Sequence, residues 1–443
     1  MHDPQAFVDP NLTEPDLLVL QNLYRDIDSA SSSPSTSTST SQNGDKNEHD
    51  GDNGKSKDED SAAIDQLQAL NTPSHPSFEP TVLVSCDLAY LRAKLPPLVY
   101  DNLLQPYIAV GRKIVRVETD VVMLTHLILY FSTSVPSALL LYRHFTYTHA
   151  VLHWLMQSYY VGTYTLMMHQ HIHMGGILSK SNIFLRAFDT VFPYITNPLM
   201  GHTWNSYYYH HIKHHHVEGN GPDDLSSTIR YQRDSLPDFL HYVLRFMFLV
   251  WIELPMYFFR KGKYALGLKA FFWDTSCYLS IAVLYLCVNA RATVFAFILP
   301  LALMRVGLMV GNWGQHALVD DEDPTSDLRS SITLIDVASN RFCYNDGYHT
   351  SHHLNPRRHW RDHPLALLRA KPKYQTERAL IFKNIDYIMI TVKLLQKDYL
   401  YLAKCLVPIG DAQIRMTLEE RAAMLRTKTT RFSEEAIREK YGL

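Results

Sequence analysis

Several things are missing from this 443-residue chain, and each absence removes a class of explanation. The five cysteines (Cys86, Cys277, Cys287, Cys343 and Cys405) lie far apart and form no CxxC pair, which leaves neither a disulfide framework nor a zinc ribbon. A formal net charge of −2, with no basic stripe interleaved with aromatics, gives no reason to expect nucleic acid as a partner. The opening Met1-His-Asp-Pro-Gln has neither the basic nor the apolar region of a secretory signal, so the N-terminus is expected to stay in the cytosol. No internal repeat of fixed period is visible. Charge itself is absent from residues 121–142, although charged residues make up 19% of the whole.

That uneven distribution organises the chain. Residues 28–62 are almost entirely small polar and charged, and cannot bury enough apolar surface to offset the entropy of ordering. Together with the short amphipathic stretch Leu17, Leu18, Leu20, Leu23 and Tyr24, they give an expected disordered cytosolic tail over 1–62. Residues 63–118 read as a cytosolic helical arm ending in the basic flank Arg112-Lys113-Ile-Val-Arg116.

Val121–Tyr142 is long enough to cross a hydrocarbon core of about 30 Å at about 1.5 Å per residue, with Pro136 a source of kinking. Ala150–Met168 is again free of formal charge, so the two form a hairpin that leaves His169 at the starting face. Asn182–Met200, broken by Arg186, Asp189, Pro193 and Pro198, reads as a surface helix. Phe271–Val288 and Thr293–Val310, joined by Asn289-Ala290-Arg291, form a second hairpin. Phe239–Phe259 carries Arg245, Glu253 and Pro255. Counting it as a span would put His316 and His349 on the opposite face from His169, so it is expected to be interfacial. The two far turns carry one arginine each (Arg143, Arg291). Arg260, Lys261, Lys263 and Lys269 crowd the near side, as the positive-inside rule requires. Ile381–Pro408 reads as an amphipathic helix, and Thr417-Leu-Glu-Glu420 has the pattern of a capping box. The expected fold is therefore an all-α integral membrane protein with four transmembrane helices in two hairpins, a cytosolic helical cap, and cytosolic C-terminal helices over 366–443.

Histidine is what the chain has in excess, and it is clustered. Of 23 histidines, nine fall between His169 and His216 and six between His316 and His363. Neutral imidazole is a common ligand for Fe, Zn, Cu and Ni. His169 and His173, four apart, project from one helix face; His171 points elsewhere. In the second cluster, His211-x2-His214-His215 and His211-x3-His215-His216 both offer one residue with an adjacent pair a turn later. On an α-helix such a pair diverges by about 100°, enough to face two metals. The third group is Asn312-Trp-Gly-Gln-His316 followed by His349-Thr-Ser-His352-His353.

The set His169-x3-His173, His211-x3-His215-His216, Asn312-x3-His316 and His349-x2-His352-His353 resembles the membrane fatty acid desaturase family over roughly residues 119–365. The surrounding segments Lys213-His-His-His-Val-Glu218-Gly-Asn-Gly-Pro-Asp-Asp224 and Asn345-Asp-Gly-Tyr-His349-Thr-Ser-His-His-Leu-Asn-Pro356 share the likeness. The resemblance implies two irons, with O2 as co-substrate. It implies the ligands His169, His173, His211, His215, His216, His316, His349, His352 and His353, with Asn312 as a water-mediated partner and His214 competing with His216. The first box has three intervening residues where the acyl-CoA enzymes often have four, and the 63–118 arm and both tails have no counterpart.

On that footing the expected activity is O2-dependent desaturation of a fatty acyl chain at the cytosolic face of a membrane, expected to be the endoplasmic reticulum, with both termini and the metal site cytosolic. Its two electrons per turnover would come from a separate cytochrome b5-like donor, since the His-Pro-Gly-Gly haem motif is absent and His75-Pro76-Ser77 is its only near match. Lipid hydroxylation at the same site and non-redox zinc binding are the rival readings. Glu218, Asp223, Asp224, Asp320 and Asp346 are candidates to orient imidazoles or are ordinary loop carboxylates. Tyr207, Tyr208 and Tyr209 either line an acyl tunnel or pack. Arg357, Arg358 and Arg361 face an acyl head group, an acidic donor or anionic lipid. His359 and His363 are expected to be non-ligands.

Overall fold

A computed structural model describes residues 12–32, 50–84, 86–335 and 343–443. Helix dominates, at 70%. Four helices among the described residues are long and apolar enough to cross a membrane: Val121–Arg143, Leu236–Arg260, Tyr264–Val288 and Ala290–His316. The number agrees with the sequence reading, but the membership differs. Leu236–Arg260, set aside as interfacial, is included, and the helix containing Ala150–Met168 is not. The latter runs from Tyr147 to Met174, ample in length, but His153, Gln157 and its run of tyrosines and histidines dilute its apolar character.

Local chemistry sets the ends and bends of these helices. Pro136 has no N–H to give to residue 132, and its ring presses on that carbonyl. The helix absorbs this as a π-helical turn at Tyr130–Ser134, just ahead of the proline. Tyr147–Met174 starts at Thr146, whose hydroxyl accepts the His149 N–H, and stops at Gly175, whose left-handed φ of 67° ends it. The turns 143–147 and 288–292 meet at one end of the molecule. Tyr142 Oη lies 2.6 Å from Thr293 Oγ1, the Phe145 and Phe295 ring centroids are 6.2 Å apart, and the Arg291 guanidinium lies 5.0 Å over Phe145. All the histidine clusters lie toward the opposite ends of these helices.

Leu236–Arg260 is placed differently. Near its start, the Tyr242 hydroxyl meets Asn312 Nδ2 at 2.6 Å; near its end, the Tyr257 ring lies 4.2 Å from that of His214. Those two tyrosines are about 22 Å apart along the helix axis, yet both touch the histidine-rich end of the protein.

Three expectations are corrected by the packing. First, the tail over 1–62 is not wholly disordered: Glu14–Ser32 is a helix that buries Val19, Leu20, Leu23 and Ile27 against Leu365, Leu367, Leu368, Tyr374 and Ile381. Its apolar residues recur at helical spacing, and long-range contacts supply the stability that local composition lacks. Residues 33–49, the heart of the expected disorder, lie outside the described residues. The helix Asp50–Asn71 runs across the boundary drawn at 62–63, and Lys371 Nζ ties the two N-terminal helices together through Asn22, Asp26 and Asp60.

Second, the chain is not purely helical. A three-stranded sheet in the order β1 (Ile332–Ile335), β2 (Leu380–Lys383), β3 (Leu406–Val407) pairs β1 with β2 in parallel and β2 with β3 antiparallel. The expected helix Ile381–Pro408 is therefore two short helices, Tyr387–Leu395 and Tyr399–Cys405, between strands. A four-residue apolar strand buried on both faces has no alternation to betray it. Third, residues 366–443 are packed into the histidine-bearing part of the protein. The fully buried Arg233 donates to the carbonyls of Ala317, Lys428 and Thr430, and Lys428 Nζ meets Asp320 at 2.6 Å. The capping box is present, with both Thr417–Glu420 bonds made.

Candidate metal centre

Four segments bring the histidines together. The last turns of Tyr147–Met174 carry His169 and His173, with ring centroids 4.6 Å apart. The second cluster sits on a π-helical segment, Tyr208–His215, continued by His216–Glu218. A π turn closes on the fifth residue rather than the fourth, so His211 and His216 share a face, their Nε2 atoms 3.0 Å apart. His215 is turned to the neighbouring face. The end of Ala290–His316 supplies His316, and the short helix His349–Leu354 supplies His349, His352 and His353.

The side chains form two adjoining groups. In the first, one ring nitrogen from each of His169, His173, His211, His216 and His352 lies within 4.8 Å of all the others. Four Nε2 atoms close a ring: His169–His211 2.8 Å, His211–His216 3.0 Å, His216–His352 2.9 Å and His352–His169 3.1 Å. The second group joins His215, His316 and His353 within the same limit, and His349 Nε2 meets His316 Nε2 at 3.0 Å. The groups are linked through the adjacent pairs His215–His216 and His352–His353, whose ring centroids are 5.7 and 6.0 Å apart.

This donor set fits metal ions better than it fits hydrogen bonding. A neutral imidazole has one N–H, and a nitrogen that donates does not also accept. With N–H on alternate members, a closed ring of four Nε2 atoms has two protons for four edges, so hydrogen bonding leaves two edges unmade, whereas a cation takes all four lone pairs. Ligands about 2.1 Å from a common ion sit about 3 Å apart when at right angles, which matches the ring's edges. Burial, with neighbouring imidazoles adding to it, holds His211, His216, His349 and His352 below the ordinary histidine range, so these rings are neutral. The buried Nε2 atoms of His173 and His353 have no hydrogen-bond partner.

Carboxylates steer some of these rings from behind. His215 Nδ1 donates to Asp224 Oδ2 at 2.7 Å, which frees Nε2 to face the second group. Burial alone would raise the Asp224 carboxyl, but His215, hydrogen-bonded to it, holds it well below its ordinary value. His353 Nδ1 lies 3.3 Å from Asp327 Oδ1, and His169 Nδ1 lies 3.9 Å from Asp346 Oδ1. Burial pushes the Asp346 carboxyl up to about 7, opposed only by the Gln315 amide.

The structure thus brings together all nine histidines that the resemblance implied. It sets His214 apart: its Nε2 accepts the Leu225 N–H at 2.8 Å, and it groups with His210 and Asp224 instead. Asn312 is not among the converging nitrogens. Its amide donates to Ser226 O and Tyr242 Oη, while the residue borders the cavity described below. His171 turns to the Asp189 carbonyl, His359 to Asp120 and His363 to Ser351. Of the five candidate orienting acids, only Asp224 and Asp346 approach a clustered histidine. Glu218 takes Tyr257 and Lys261, Asp223 takes Lys261 and Asp320 takes Lys428, because each had a cation or phenol nearer than any imidazole. Arg358 is spent on Ser351 and Arg361 on Asn71, Thr81 and Leu70, which leaves Arg357 as the exposed one of the three. Asp327 was missed, since nothing in its spacing points to His353.

A cavity of about 590 Å³ opens on the histidines. His169, His211, His215, His349 and His352 line one end; Ser158, Tyr159, Gly162, Leu303 and Gly307 line the other. Tyr207 lines it as well, whereas Tyr208 and Tyr209 pack in the core.

Residues 119–384 match the fatty acid desaturase family model, more than half of the chain and past the 365 boundary read from the motifs. No curated protein and no solved structure matches.

Proposed function

Because the chain belongs to the fatty acid desaturase family, we propose that it desaturates a fatty acyl chain with O2 at a pair of histidine-held irons. The ligands would be His169, His173, His211, His216 and His352 for one iron, and His215, His316, His349 and His353 for the other. Irons bound there supply O2-dependent oxidation of an unactivated C–H bond, drawing two electrons per turnover from a separate cytochrome b5-like donor. The convergence of nine imidazoles from four distant segments carries this reading.

The rest of the work belongs to the chain. Asp224 keeps the His215 proton on Nδ1, and Asp327 faces Nδ1 of His353, so both Nε2 atoms stay available. The apolar walls of the cavity exclude water and hold the substrate against the histidines. In the membrane, Val121–Arg143 with Tyr147–Met174, and Tyr264–Val288 with Ala290–His316, are the two crossing hairpins, their turns together on the far side. At about 42 Å, Tyr147–Met174 exceeds a core of about 30 Å, so His169 and His173 stand clear at the cytosolic face. Leu236–Arg260, touching that end of the protein at Tyr242 and Tyr257, lies along the interface despite its length. Both termini are then cytosolic, in a membrane such as the endoplasmic reticulum.

Lipids of a host expressing the chain, compared by mass spectrometry with those of a host expressing His352→Ala, test the proposal. A new double bond made only by the unmodified chain is expected. A new hydroxyl group in its place, or no new product, would overturn it.

A further inference from the structure

The cavity does more than sit beside the histidines; it runs from them down the flanks of two helices. Ser158, Gly162, Thr165 and His169 follow one face of Tyr147–Met174, and Leu303, Gly307 and Gly311 one face of Ala290–His316. Eleven residues separate Ser158 from His169, about 16 Å of helix, or roughly half of a core about 30 Å thick. A Cβ added at Gly162, Gly307 or Gly311 would meet nothing within 4 Å, so the three glycines face open space. The far end opens sideways: Tyr159 and Gly307 are exposed on the flank. At the near end the buried His349 lines the cavity, its Nδ1 without a hydrogen-bond partner.

The charge around this space is one-sided. The described residues lining it include the carboxyl groups of Asp346 and Asp386 and no lysine or arginine. A thioester of coenzyme A brings several phosphate charges, for which this lining offers no lysine or arginine partner. Amide and hydroxyl groups find partners at the histidine end in Asn312, Gln315 and Asp346.

On the desaturase reading above, we infer that the substrate is a lipid resident in the bilayer whose head carries hydroxyl or amide groups and no phosphate, and that its tail slips sideways between Tyr147–Met174 and Ala290–His316. The tail of a cytosolic-leaflet lipid points toward the bilayer midplane. The carbons beside the histidines are therefore those nearest the head group, and the methyl end lies by Ser158 and Leu303. Gly162 and Gly307 set how much chain is admitted.

Photocrosslinking of the full-length iron-loaded protein in phosphatidylcholine nanodiscs tests this without turnover. The probes are ceramides carrying a diazirine either beside the head group or near the methyl end, and palmitoyl-coenzyme A carrying one near its methyl end. The head-side ceramide is expected to label the 311–315 and 343–349 segments, and the tail-side ceramide the 158–162 and 303–307 segments. Palmitoyl-coenzyme A is expected neither to label these segments nor to displace the ceramides. Gly307→Phe should lower tail-side labelling by about tenfold or more while iron content stays the same. Reversed labelling, undiminished labelling in Gly307→Phe, or displacement by the coenzyme A thioester would overturn the inference. Labelling as described without any double bond formed would sink the desaturase reading alone; desaturation without this labelling would sink only the inference.

Discussion

Asp224 offers the sharpest single perturbation of the site. Its Oδ1 accepts the Ser226 N–H at 2.8 Å and hydroxyl at 2.7 Å, and its Oδ2 accepts His215 Nδ1 at 2.7 Å and the Asn220 N–H at 3.1 Å. All four partners reach the carboxylate as donors. Asp224→Asn keeps the shape but replaces one oxygen by an NH2, which has nothing to accept with. If the NH2 faces Ser226, two buried donors lose their partner, at about 1–3 kcal/mol each. If it faces His215, the imidazole proton is driven to Nε2, the atom aimed at the second group. The second orientation, in which Ser226 keeps both bonds and His215 can shift its proton, costs less, so the second group weakens and the first is untouched. Loss of a carboxylate behind a ligating histidine lowers metal affinity by about 10–100-fold, or about 1.4–2.7 kcal/mol. Competition with a chelator, followed by iron analysis of the purified protein, reads this directly. Asp224→Asn is expected to release about half its iron at a chelator concentration that leaves the unmodified chain loaded. Identical titration curves for the two proteins would refute the reasoning.

Other substitutions separate neighbouring roles. His352→Ala should lose at least the first group's iron, whereas His214→Ala should lower the melting temperature yet keep both irons; metal analysis of each, beside its melting curve, distinguishes them. A Cβ at Gly314 would stand 2.6 Å from the Tyr387 carbonyl oxygen, so Gly314→Ala should destabilise the packing of Tyr387–Leu395 on Ala290–His316 by about 1–3 kcal/mol, seen as a lower melting temperature in detergent. Burial opposes the charged form of His359, but Asp120 at 2.8 Å outweighs it and raises the histidine above its ordinary value. The stability from that pair is full below a pH of about 6.5 and is lost as pH rises through the raised value, so melting temperatures of the unmodified chain should fall over that window and those of His359→Gln should not.

Much of the site is legible in the residues, because ligand spacing on a helix is a local property. His169 and His173 need only a helix to share a face. The choice between His214 and His216 is not local in that sense. It depends on a π turn over Tyr208–His215, and the register of backbone hydrogen bonds leaves no mark on the pattern of side chains. Three of the four long apolar helices were readable as spans from their length; Leu236–Arg260, also long and apolar, was read as interfacial, and Ala150–Met168, read as a span, lies in a helix whose polar residues keep it out of the four. The parts that stayed hidden depend on partners far along the chain. Leu20 and Leu23 look like a weak amphipathic stretch until Leu367 and Tyr374 cover them, and β2 is a short apolar run until Ile332–Ile335 and Leu406–Val407 pair with it. Glu218 and Asp320 sit next to histidines in sequence, yet Lys261 and Lys428 claim them.

X-ray absorption at the iron edge of the purified full-length protein, with the metal counted on the same sample, addresses the centre itself. About two irons per chain, each surrounded by imidazole nitrogens near 2.1 Å, is the expected result. Zinc as the resident metal, a single iron, or a shell dominated by carboxylate oxygen would contradict it.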